Sequence, residues 1–126
     1  MIDEDKKKKK EYEHMMRNTK RKLKKAAEEF GCWDEGYLFD FMRIIFECWR
    51  DYYHIGWNVS AMENREWNEE AKDQPTREEI AKELLRLMDD IDNYWREDAP
   101  GETNSFDKRN KAFFDYMAKY IHFMWD

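Results

Sequence analysis

One valine, two prolines and four glycines in 126 residues leave little from which to build strands or tight turns. Strands favour β-branched residues, whereas helices favour Glu, Lys, Arg, Leu, Met and Ala, which dominate here. The fold class is therefore read as all-α. Two cysteines, Cys32 and Cys48, cannot make a disulfide framework. Cys48 falls among apolar residues in mid-helix, where a free thiol behaves as a small hydrophobe. The chain has no run of about 18 apolar residues, and residues 6–10 near its start are all lysine, so neither a membrane span nor a signal core is expected. A soluble protein of a reducing cytoplasm is the expectation. Also missing are a Gly-rich phosphate loop, a paired CxxC and an HExxH. The two serines, Ser60 and Ser105, sit in turn-like contexts, and no nucleophile–base pair can be argued for either. No catalytic residue, cofactor or metal ligand is assigned, and the chain is read as not an enzyme.

What is abundant is charge and aromatic surface. Charged residues make up 41% of the chain and Phe, Trp and Tyr another 17%. The net charge of -6 is unevenly spread: residues 1–30 carry 11 Lys/Arg against 7 Asp/Glu, and the remainder 12 against 22. The body should repel phosphate backbones, so direct nucleic-acid binding is the lesser reading and a basic partner the better one. For the lysine run, a solvated helix end is the plain reading and an acid- or phosphate-binding tail the other.

The length is that of one domain, residues 1–126, able to bury roughly two-thirds of the surface its unfolded chain exposes. Apolar positions at Tyr12, Met15 or Met16, Thr19, Leu23, Ala26 or Ala27 and Phe30 predict a first helix with a thin stripe, ended by Gly31 and frayed over residues 1–12. A second helix, about 35–55 with Asp34 as N-cap, carries a main stripe of Leu38, Phe41, Ile45, Cys48, Tyr52 and Ile55. Met42, Trp49 and Tyr53 flank that stripe. Eight aromatics in residues 37–57 place this helix at the centre of a bundle. A break is expected near Gly56. Thr76 with Glu79 forms a capping box opening a helix of roughly 77–96, faced by Ile80, Leu84, Leu87 or Met88, Ile91 and Trp95. Residues 98–105 read as a loop, and Asp107 opens a last helix faced by Phe113, Phe114, Met117, Tyr120, Ile121 and Met124. Four helices joined by short connections predict an antiparallel four-helix bundle, with room for a short extra helix in 58–74.

Two constellations bear on chemistry. Glu47, Asp51 and His54 share one helix face, but two-metal bundles need a second such motif and further inward carboxylates, so a solvent-facing polar strip is the simpler reading. His14, among charged residues of the first helix, reads as surface. Aromatic rings such as Tyr53 could instead stack a nucleotide whose phosphates are held by Arg43, Arg50 or first-helix cations such as Lys20 and Arg21.

Three stretches, RDYYHIGWNV at 50–59, PTREEIA at 75–81 and MWD at 124–126, resemble small accessory proteins of tailed bacteriophages. The resemblance covers about the last ninety residues and brings no active site with it. It implies a phage accessory protein made in the bacterial cytoplasm, and by analogy one that binds a host or defence protein. The reading is therefore a stoichiometric inhibitor of a bacterial defence protein. Acids Glu63, Glu66, Glu69, Glu70 and Asp73 would meet a basic surface, with Trp57, Met62 and Trp67 as apolar contacts. An oligomeric nucleotide sponge and a virion or assembly component are the alternatives, and self-association through a leftover aromatic patch is compatible with all three.

Overall fold

The computed structural model describes residues 2–57, 74–96 and 103–124. These form four main α-helices packed on one another, with no strand among the described residues. Helix α1 spans Ile2–Glu29, α2 Gly36–Ile55, α3 Arg77–Arg96 and α4 Thr103–Tyr120, after which a 3-10 turn runs over Ile121–Phe123. Cross-helix pairs fix the directions. Tyr12 meets Tyr52 while Phe30 meets Phe41. His54 pairs with Glu78 while Arg43 reaches Asp89 and Asp92. Tyr94 meets Phe106 while Arg77 reaches the Phe123 carbonyl. Each helix thus runs antiparallel to the one before it.

The core lies elsewhere than the aromatic content of α2 suggests. Its buried cluster takes Ile80, Leu84, Leu85, Leu87, Met88 and Ile91 from α3, Phe46 from α2 and Phe113 from α4. Helix α3 is the innermost helix because its aliphatic residues recur at strict helical spacing and can all face one way. In α2 the uncharged arc is too wide for one seam, and it divides. Phe39, Met42, Phe46 and Trp49 face the core. Phe41 and Cys48 turn to α1, reaching Phe30 and the Met15 and Met16 sulfurs. Leu38 and Ile45, expected at the heart of the bundle, are left exposed between the two seams.

Helix ends follow local chemistry with three departures. Gly56 stops α2 as expected, at φ +72° with its N–H donating to the Tyr52 carbonyl. Asp34 does not occupy the N-cap; Glu35 does, and the Asp34 carboxylate accepts the Gly36 N–H at 2.7 Å from one residue further out. Gly31 is not a left-handed cap either, and a Cβ there would stand 2.5 Å from the Trp33 indole, so the missing side chain makes room for that ring. Helix α4 begins at Thr103, inside the expected loop, since Thr, Asn and Ser cost a helix least in its first turn.

The capping box forms as the sequence predicts. Glu79 N–H donates to Thr76 Oγ1 at 3.1 Å, and Thr76 N–H donates to Glu79 Oε1 at 2.8 Å. Thr76→Ala should therefore cost about 1 kcal/mol, read as a lowered urea midpoint with an unchanged slope.

Candidate functional site

Because α1 packs along α2, a cleft of about 350 Å³ opens between them. Met15, Cys48, Ile44 and Ile55 supply its apolar part, and Glu11, His14, Glu47, Asp51 and His54 are among its polar lining. The strip Glu47, Asp51 and His54 is thus not simply solvent-facing, and His14 comes to the same cleft from α1. The groups are nevertheless occupied separately. Asp51 accepts from Arg50 Nε at 2.9 Å, His54 Nδ1 lies 3.2 Å from Glu78, and His14 Nε2 meets the Asn18 amide at 3.1 Å. The Lys82 ammonium, at 2.8 Å, and His54 hold the Glu78 carboxyl below its ordinary range. Among the described residues no three His, Cys, Asp or Glu side chains stand close enough to hold a metal ion.

Cys48 shows how the cleft treats a nucleophile. Its S–H donates to Met15 Sδ at 3.6 Å and Met16 Sδ at 3.9 Å, and burial pushes the thiol pKa up. Nearby Asp51 pushes it further. Cys32 is exposed. Titration with a thiol reagent at pH 8 should therefore give two phases, a fast one from Cys32 and a slow one from Cys48, and Cys32→Ser should remove only the fast phase.

The residues set aside for a nucleotide are not gathered into one site. Arg43 lies between α2 and α3, donating to Asp89 and Asp92 at 2.8 Å each. Arg50 is held by Asp51, and the Tyr53 ring faces the Arg77 guanidinium at 5.3 Å. Lys20 and Arg21 are exposed on α1 and do not line the cleft. Arg43 does reach a second cleft, of about 300 Å³, beside Lys22, Lys25 and Tyr37, where Glu29 and Asp40 stand among the cations.

Of the residues proposed to meet a partner, Met62, Glu63, Glu66, Trp67, Glu69, Glu70 and Asp73 lie outside the described residues. Trp57 is described, and its ring is spent partly within the fold, 4.9 Å from Tyr12.

Among the described residues the most exposed aromatic surface is at the other end of α2, where α1 turns into it. Trp33 is 80% exposed, Leu38 57% and Phe30 54%. Tyr37 ties Phe30 and Trp33 together, its ring 5.9 Å from Phe30 and 6.1 Å from Trp33. Glu28, Glu29, Asp34, Glu35 and Asp40 are exposed around this cluster. Sequence reading missed it because Phe30 and Leu38 each fit a helix stripe while Trp33 fits none. The signal was Gly31, a small residue beside a Trp that no stripe needed.

Comparison of the chain with protein-family models, with curated proteins and with solved structures returns no match. What the arrangement can do must therefore be argued from its own chemistry. No helix among the described residues is long and apolar enough to cross a membrane.

Proposed function

We propose that the protein acts without catalysis, by binding another macromolecule, and that its partner is a bacterial defence protein disabled by a phage-encoded chain of this kind. One observation supports the binding role above others: Phe30 and Trp33 are displayed on either side of Tyr37, with Leu38 exposed one position on and exposed acids at Glu28, Glu29, Asp34, Glu35 and Asp40. Leaving that area in water forgoes stabilisation of roughly 1.5–3 kcal/mol per side chain if fully buried. Tryptophan at the centre of such a patch is the usual anchor of an interface, and the acids favour a partner with a basic surround. The cytoplasmic phage setting rests on the resemblance of residues 50–59, 75–81 and 124–126 alone.

The test is affinity capture of the tagged chain from cells carrying a defence system, followed by identification of what is retained. Trp33→Ala should weaken binding by about thirtyfold or more, an anchor loss of about 2 kcal/mol or more, while helix content stays the same. Gly31→Ala, which pushes the indole off its seat, should weaken binding too. Trp67→Ala provides the comparison: if it abolishes capture while Trp33→Ala does not, the interface lies in the segment 58–73 instead. Retention of a nucleotide, seen as absorbance skewed toward 260 nm after native purification, would favour a sponge.

A further inference from the structure

Helix α1 is built unlike the rest of the molecule. Residues 6–25 contain 11 Lys/Arg and only two acids, Glu11 and Glu13, so this stretch carries +9 while the remainder of the chain carries -15. Its part-buried or buried stripe is Tyr12, Met15, Thr19, Leu23 and Ala26. On the opposite side Lys6, Lys10, Arg17, Lys20, Arg21 and Lys24 are all exposed at helical spacing. Among the described residues none of the cations of α1 has a carboxylate within ion-pairing distance, although α2, α3 and α4 hold several such pairs. Arg21 donates to the neutral Asn18 amide instead.

Geometry adds to the charge. The rings of Tyr52 and Trp57 meet Tyr12, and α2 ends at Ile55. At about 1.5 Å per residue, α1 runs on beyond that pairing by roughly 15 Å. Residues 3–7 and 9–11 of this arm are exposed. No apolar side chain lies on the outward face between Lys6 and Lys25. The apolar core of a protein interface has nothing to build on there, and neither does insertion into a bilayer. A row of unpaired cations without apolar content suits a regularly repeated negative charge. Duplex DNA offers one about every 1.7 Å along its axis, beside a row of cations about 28 Å long.

We infer that the outward face of α1 docks on the phosphate backbone of nucleic acid, without reading its sequence, and that the acidic body points away from it. This role is separate from the aromatic corner and does not depend on the partner proposed for it.

The experiment is fluorescence anisotropy of a labelled 20-bp duplex titrated with the full chain between 50 and 200 mM KCl. Five phosphate contacts would give a log–log salt slope of about -4.5, a loss of several hundredfold in affinity across that range. Replacing Lys6, Lys10, Arg17, Lys20 and Lys24 together by Gln should flatten the slope toward zero. Replacing Lys8 and Lys22, which lie toward the packed side, should change the slope by less than half as much. Circular dichroism confirms that each variant keeps its helices. Two duplexes of unrelated sequence should bind equally. Absence of binding at 50 mM salt, or a slope unchanged by the five substitutions, overturns the inference. So would equal affinity for polyglutamate, preference for phosphatidylserine vesicles, or salt-reversible self-association lost in the same variant, since each assigns the face to another kind of acid.

Discussion

Phe113→Ala is expected to be the most damaging single truncation in this protein, lowering unfolding free energy by about 3–5 kcal/mol. Phe113 is 0% exposed and touches the rings of Phe39, Phe46 and Phe114. Its removal opens a cavity where α2, α3 and α4 meet, and rings on rigid helices can collapse into that space only in part. Small domains have roughly 5–15 kcal/mol in total, so the variant should melt well below the parent or fold only partly. Phe114→Ala, one position along and 42% exposed, is the control. It should cost less than half as much, and equal losses at the two positions would show that α4 is rotated from the placement described.

The second large effect is expected at Arg77, the one buried charged residue among those described, at 4% exposure. Its Nε donates to the Phe123 carbonyl at 2.9 Å, and its guanidinium stands 5.3 Å from the centre of the Tyr53 ring. One side chain at the start of α3 therefore ties down the end of α2 and the turn that follows α4. Arg77→Ala removes a charge-assisted hydrogen bond to a part-buried carbonyl, at about 1.5–3 kcal/mol, and removes a cation from an aromatic face, at up to about 2 kcal/mol when desolvated. A loss of about 2–4 kcal/mol in urea unfolding is the expected result. Arg77→Lys keeps the charge but lacks the planar fork, and should recover less than half of that loss. If Lys restores full stability, charge alone matters and the directed hydrogen bond does not.

Much of the fold was legible in the residues themselves. The capping box at Thr76 and Glu79, the spacing of Ile80, Leu84, Leu87 and Ile91, and Gly56 each encode local geometry within a few positions, and all three are realised. The choice of central helix was not legible. A hydrophobic arc shows that a surface wants burial, but not which neighbour supplies it. In α2 two neighbours compete for one arc, so Phe46 goes to the core while Leu38 and Ile45 stay in water. The candidate interface was hidden for the same reason. Trp33 gave no periodic signal, and its exposure depends on the turn that lays its ring over Gly31. Glu47 and His54 were singled out correctly as sharing a face, but that α1 would close a cleft over them is a matter of tertiary packing.

None of the eight residues in the buried cluster comes from α1. Helix α1 packs along α2 through Tyr12, Met16 and the buried Met15, a seam separate from the cluster that joins the other three helices. The molecule therefore has two levels of cooperativity. Under native conditions amide protons of α1 should exchange with solvent through its undocking, at a free energy below that protecting the amides around Leu84 and Met88. The basic helix is then expected to undock as a unit while the packing around Leu84 and Met88 persists, which would separate the proposed basic surface from the core that carries it.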